Sequence, residues 1–162
     1  MSALYVTVAL VAAQRIAELL WARRNIRRLG ARGAVEYGRS HYPLIVAFHA
    51  AWLVAMLVLI PGDRAPSWPL LACYLLLQPL RYWAIVSLGE YWTTRVMVVP
   101  GAAPIRRGPY RWLRHPNYLV VAAEIPLLPA AFGAGMIAAV FGVLNVAVLA
   151  WRIVVEEAAR QR

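Results

Sequence analysis

Between two segments apolar enough to enter a bilayer lies Arg106-Arg-Gly-Pro-Tyr-Arg-Trp-Leu-Arg-His-Pro-Asn-Tyr118, with four arginines, a histidine, two prolines and three aromatics. Its charges and proline-broken backbone need polar partners, which lipid does not supply. The stretch must therefore lie at a membrane surface or line a polar cavity. Either placement makes it the leading candidate for a functional site.

The rest of the chain explains why this stretch stands out. With 62% hydrophobic side chains and a mean hydropathy of +0.60, 162 residues are too apolar for an ordinary soluble domain. The economical reading is one membrane domain over residues 1–162. Three N-terminal spans occupy residues 1–88, and a loop, a helical hairpin and a tail occupy 89–162. Net charge is +10, and all 17 basic residues are arginine. Such an excess can signal nucleic acid, but beside these apolar segments it signals the membrane and its lipids. Cys73 lies in an apolar run and reads as a core cysteine. The N-terminus lacks a basic leader and a small-residue cleavage site, so the first apolar segment reads as a retained helix.

In order, Ala3–Trp21 reads as a first span. Its Arg15 and Glu18 are three apart and share a helix face, so they can pair near the membrane interface. Arg23–Arg39 reads as an arginine-rich connector, a short helix followed by a glycine-punctuated loop. Tyr42–Ile60 is a second span, whose lone His49 reads as a packing residue, and Pro61–Pro66 is a turn. Trp68–Leu88 is a third span that Pro79 should kink. Arg81 within it needs either a route to the interface or a polar cavity. Tyr118–Ala131 and Ala134–Trp151 form a tight hairpin around Phe132-Gly-Ala-Gly135, although the first is short of the ~20 residues of a straight span. The predicted fold is thus all-α, with about five transmembrane helices and a loop before the last two.

Arginine placement sets the orientation. The 22–42 connector carries six, the 89–116 region five and the tail three, whereas the 61–67 turn carries only Arg64. The positive-inside rule then puts the N-terminus outside and the C-terminus in the cytoplasm. Within the loop, Pro109 and Pro116 should push Gly108 and His115 toward extended backbone. Pro116 can open the helix beginning near Asn117, whose free N–H groups would cradle an anion with help from Arg111, Arg114 and His115. In the tail, Arg152 and Glu156 are four apart on one helix face, as either an ordinary surface pair or a functional one.

The combination is more specific than its parts. Gly-Pro-Tyr-Arg-x-x-Arg-His-Pro-x-Tyr at 108–118, then Arg-x-x-x-Glu-Glu at 152–157, resembles the isoprenylcysteine carboxyl methyltransferase family over roughly Gly89–Glu157. The pieces Gly89-Glu-Tyr-Trp-Thr-Thr-Arg95, His41-Tyr-Pro43 and Asn117–Glu124 are similar to small bacterial members associated with type III polyketide synthases. The resemblance implies an integral membrane enzyme that uses S-adenosylmethionine without a Rossmann domain. It implies that Ala102, Ile105, Tyr110, His115, Pro116, Asn117, Tyr118 and Glu156 contact the cofactor and that Arg152 faces the acceptor. Glu157 matches the acidic pair without a role of its own, and no metal ligands are assigned. Glu124, a carboxylate in an apolar hairpin, is either the base that deprotonates the acceptor or a buried partner of Arg81 or Arg152.

The expected reaction is O-methylation of a lipophilic phenol or enol, alkylresorcinol-like or alkylpyrone-like, reaching the site from the bilayer. Carboxyl methylation of an isoprenylcysteine-like substrate, phospholipid N-methylation, a reductase-like role and simple lipid binding are the alternatives. The expected location is the inner membrane of a bacterium, with the active site facing the cytoplasm.

Overall fold

The computed structural model describes residues 2–39 and 42–160. His41 of the His-Tyr-Pro piece and Arg162 of the tail lie outside them. Among the described residues, five α-helices carry the fold: α1 (Ala3–Ala31), α2 (Tyr42–Leu59), α3 (Trp68–Leu88), α4 (Pro116–Ala131) and α5 (Gly135–Arg160). A short ribbon joins them, β1 (Val35–Tyr37) pairing antiparallel with β2 (Val96–Val98).

Ser2 caps α1 by accepting a hydrogen bond from the Tyr5 amide. The buried positions Leu4, Val8, Val11, Glu18, Ala22, Asn25 and Leu29 then recur at helical spacing along one stripe. At 1.5 Å per residue this helix is about 43 Å long, more than the ~30 Å hydrocarbon core. Its arginine-rich second half therefore projects past the membrane. The expected break after Trp21 does not occur: residues 23–31 continue the helix, because arginine is a good helix former and no proline intervenes. At the other end of the chain, α5 likewise runs on through Glu157 to Arg160.

Among the described residues, four helical stretches, Ala3–Ala31, Tyr42–Leu59, Trp68–Tyr91 and Gly135–Arg160, are long and apolar enough to cross a membrane. Their outward faces expose Leu10, Leu20, Val58, Leu76, Val86 and Val143, an apolar surface suited to lipid. Cys73 is exposed on this outer surface rather than in the core. The chain is an all-α integral membrane protein. The 16-residue α4 is the central helix, buried at nine positions and packed against α3 and α5. A helix enclosed by its neighbours need not match the bilayer, which accounts for its length and for Pro126 and Pro129 inside it.

The two ends of the bundle differ. Leu4, Val8, Trp52, Met56, Tyr74, Ile125, Leu128 and Phe132 close one end as a solid core. The arginine-rich connections gather at the other. There the Asn25 amide donates to the carbonyls of Gly89 and Trp92 at 3.0 and 2.8 Å, and Arg95 pairs with Glu36 across the ribbon at 3.1 Å. Arg107 Nε donates to the Ser87 carbonyl at 2.6 Å and ties the motif loop to the end of α3.

Gly108 is not extended as its following proline suggested; its φ is +56°. A Cβ there would stand 1.9 Å from Ser87 Oγ, so the close approach of loop to α3 requires glycine.

Candidate functional site

The arginine-rich end of the bundle encloses a cavity of about 1020 Å³. α4 delivers one wall. His115 precedes the helix with φ −131°, and Pro116 occupies its first turn, as the proline spacing predicts. Tyr118, one turn in, therefore faces α5. Its ring stacks on that of His115, with centroids 5.1 Å apart and planes 4° from parallel.

α5 delivers the opposite wall through Arg152 and Glu156. Arg152 Nε donates to the Tyr118 hydroxyl at 2.6 Å and to Glu156 Oε1 at 3.2 Å. The Tyr118 hydroxyl donates in turn to Glu156 Oε1. Arg152 Nη1 donates to the Thr94 carbonyl at 2.9 Å, so the residue just before the ribbon helps to hold the guanidinium. The Arg152–Glu156 pair is thus part of a cavity wall rather than an ordinary surface pair. His115 Nδ1 lies 3.6 Å from Glu156 Oε2. Burial lowers the His115 pKa despite that carboxylate, leaving the imidazole neutral at pH 7. Burial also raises the Tyr110 hydroxyl well above its ordinary value, with Glu156 contributing, which keeps it a neutral donor.

Of the residues the sequence singles out, Ala102, Ile105, Tyr110, His115, Asn117, Tyr118, Arg152 and Glu156 all line this one cavity. Glu157 and Arg114 join them, 4.0 Å apart. Pro116 is buried behind the wall and shapes it through the backbone. Arg111 stays outside, its guanidinium over the Trp112 ring.

Glu124 is placed as the buried partner of Arg81, one of its two expected roles, rather than as a free carboxylate. It is fully buried, its Oε1 accepting from Gln78 at 2.8 Å and its Oε2 from Arg15 at 2.8 Å and Arg81 at 3.0 Å. Arg81 also grips Glu18 through two hydrogen bonds, at 2.7 and 2.6 Å. The expected Arg15–Glu18 pair forms at 3.2 Å, deep among α1, α3 and α4 rather than at an interface. Two arginines thus meet two carboxylates in the middle of the bundle, which accounts for Arg81 without a route to the surface.

The sequence reading quotes Tyr42 and Thr94 only within the pieces that carry the resemblance, without a role, and passes over Asn145. Thr94 acts through its carbonyl, which no side-chain pattern reveals. Asn145 is a lone amide in an apolar run, a signal that was there to read.

The cavity suits the molecule that the motif resemblance implies. S-adenosylmethionine carries an ammonium, a carboxylate, a sulfonium and an adenine. Glu156 and Glu157 complement the cationic groups, and Arg114 and Arg160, also on the cavity wall, complement the carboxylate. Two buried polar atoms here, His115 Nε2 and Asn117 Oδ1, have no hydrogen-bond partner among the described residues. Ala102 to Ile105 add an apolar strip for a ring.

Comparison with known sequences points the same way. The sequence model of the family described as isoprenylcysteine carboxyl methyltransferase (ICMT) matches residues 70–161, more than half of the chain. An uncharacterized protein of Bacillus subtilis (strain 168), YpbQ, is 39% identical over 161 residues, covering 97% of this chain and 96% of its own. An uncharacterized protein of Haemophilus influenzae is 27% identical over 119 residues, covering 71% of this chain and 69% of its own. No solved structure matches the chain significantly.

Proposed function

The chain belongs to the isoprenylcysteine carboxyl methyltransferase family, and from that premise we propose that it transfers a methyl group from S-adenosylmethionine to a lipophilic oxygen acceptor at the membrane. The observation that carries the proposal is the Tyr118–Arg152–Glu156 cluster. It joins α4 to α5 on a cavity whose other walls come from α1, α2, α3 and the 91–114 segment.

When bound, S-adenosylmethionine supplies a methyl group already activated by its sulfonium. What remains for the protein is alignment, which can supply several kcal/mol. Glu156, His115, Asn117, Tyr110 and the Ala102–Ile105 strip would hold the cofactor. Arg152 has its Nε and Nη1 placed by Tyr118, Glu156 and Thr94, which leaves Nη2 for the acceptor oxygen. A guanidinium there favours the deprotonated oxygen of a phenol or enol. An acidic enol then needs no further base. An alkylresorcinol-like or alkylpyrone-like head fits this chemistry, and the arginine placement supports a cytoplasm-facing site in a bacterial inner membrane. A phospholipid amine fits less well, because Arg152 would repel its ammonium form.

The test is equilibrium binding of tritiated S-adenosylmethionine to the purified protein in detergent. We expect saturable binding, displaced by S-adenosylhomocysteine and not by NADPH. Incubation with a lipid extract should then yield a phenol or enol heavier by one methylene. Absence of saturable binding would overturn the methyltransferase reading. Binding without any methylated phenol or enol would overturn only the acceptor.

A further inference from the structure

The arginines at either end of the α1 series are matched, and the four between them are not. Arg15 meets Glu18 and Glu124, and Arg32 just past the helix meets Glu90. Arg23, Arg24, Arg27 and Arg28 are exposed, and none has a carboxylate partner among the described residues. Their direction is fixed by the opposite face, where Ala22, Asn25 and Leu29 are buried and the Asn25 amide donates to the Gly89 carbonyl at the end of α3. Helical spacing then turns all four arginines outward in two rows, Arg23–Arg27 and Arg24–Arg28. Like charges four residues apart disfavour a helix, so each row calls for an anion from outside the chain. The positive-inside rule asks only for an excess of arginine on one side, not for an unpaired basic face.

Aromatic side chains set the level of these rows in the membrane. Trp21 on α1, Tyr82 and Trp83 on α3, Trp112 in the loop and Trp151 on α5 are exposed towards the arginine-rich end. Tyr5 and Trp68 are exposed towards the closed end. Exposed aromatics at both ends of a bundle mark the two membrane–water interfaces. Tyr5 to Trp21 spans about 24 Å of α1, and Trp68 to Trp83 about 23 Å of α3, so the two helices give one spacing. Arg23 to Arg28 then lie about 3 to 11 Å past Trp21, the depth of the phosphate-bearing headgroup layer. Below them on the same face of α1, at helical spacing, Ile16 and Leu20 are exposed. The face is therefore apolar at acyl-chain depth and basic at headgroup depth.

We propose that this face of α1 is a binding site for anionic phospholipids, with acyl chains along Ile16 and Leu20 and a phosphate held by each row of two arginines. A guanidinium matches phosphate oxygens through paired, charge-assisted hydrogen bonds. The rows select a net-negative lipid over a zwitterionic one, because they offer four positive charges and no carboxylate for a headgroup ammonium. An acidic protein would meet only the basic half of the face, since the apolar half lies below the bilayer surface. The headgroup site is separate from the cavity, which none of the four arginines lines. It therefore stands independently of the methyltransferase reading.

The test is native mass spectrometry of the full chain in neutral detergent with dioctanoyl-phosphatidylglycerol or dioctanoyl-phosphatidylcholine. The two lipids share their chains and phosphate and differ in net charge. Wild type should bind the phosphatidylglycerol about tenfold more tightly, in keeping with two arginines on each phosphate. Arg23→Gln/Arg27→Gln and Arg24→Gln/Arg28→Gln should each lose part of that preference, and the fourfold variant all of it. Glutamine is close to arginine in helix propensity, and circular dichroism checks that each variant is folded. Arg64→Gln/Arg111→Gln removes the same charge as one row and should keep the preference. Equal binding of both lipids by wild type overturns the proposal. So does a preference that survives the fourfold substitution, or one that falls as far in Arg64→Gln/Arg111→Gln as in a row variant. Displacement of phosphatidylglycerol by an equal concentration of soluble polyglutamate would overturn the lipid as occupant in favour of an acidic protein segment.

Discussion

Two clusters of arginine and glutamate sit inside this membrane protein, and they are built on opposite plans. In the inner cluster, Arg15 and Arg81 meet Glu18 and Glu124, with Gln14 and Gln78 completing the contacts. Its carboxylate oxygens are all occupied, and the charges balance. The outer cluster, Arg152 and Glu156 with Tyr118, opens on the cavity and sits beside the unmatched atoms of His115 and Asn117. Residue types are the same in both. What separates scaffold from candidate site is whether the carboxylate oxygens are all taken within the protein: among the described residues, Glu156 Oε2 has only His115 Nδ1, at 3.6 Å.

The sharpest way to break this distinction is to remove a member of the inner cluster. Arg81→Leu strands two buried carboxylates, and loss of one partner of a buried pair costs about 3–5 kcal/mol. We expect a large drop in the thermal unfolding midpoint in detergent, seen by circular dichroism, with ligand binding lost only because the protein unfolds. A stable Arg81→Leu protein would show that the inner cluster is not the scaffold described here.

Glu156→Gln should do the reverse. It keeps the shape but removes the charge facing the cavity, so tritiated S-adenosylmethionine binding should weaken about tenfold to a hundredfold while the unfolding midpoint moves little. A midpoint that falls as far as in Arg81→Leu would erase the difference between the clusters. Tyr118→Phe is the milder version. It removes only the hydroxyl between Arg152 and Glu156, and methyl transfer should fall by about tenfold through misplacement of Arg152.

The smallest effect is on pH dependence. Burial lowers the His115 pKa in the folded state, so the unfolded chain binds the proton more readily. Stability from this group is therefore complete above the ordinary histidine value near 6.5 and is lost as pH falls through the folded value. His115→Gln should flatten the stability profile just below the ordinary histidine value, as read by thermal unfolding midpoints across a pH series.

Much of the architecture was legible because the bilayer imposes long, uniform signals. α3 begins and ends at the residues its hydropathy and flanking prolines suggest, and the hairpin turns where Phe132-Gly-Ala-Gly135 breaks the pattern. The β1–β2 ribbon was less legible, because it depends on pairing between segments some 60 residues apart. Within the site, the His-Pro-Asn-Tyr run and the Arg-Glu-Glu tail were readable as motifs. For Glu124 the pairing with Arg81 was one of two readings, and the structure was needed to choose it because its partners come from α1 and α3, at distances along the chain that no local pattern encodes. Asn145 was overlooked although a lone amide in an apolar run is itself a signal.

By itself, then, the sequence determined that the chain is a membrane protein, where its helices lie and that its arginine-rich islands share one end, because transfer into lipid is decided by local composition. Tertiary structure alone decided which charged residues neutralise one another and which remain available to a ligand. That outcome depends on angles and distances of a few ångströms between helices, and hydrogen bonding is too short-ranged to be read from order along the chain.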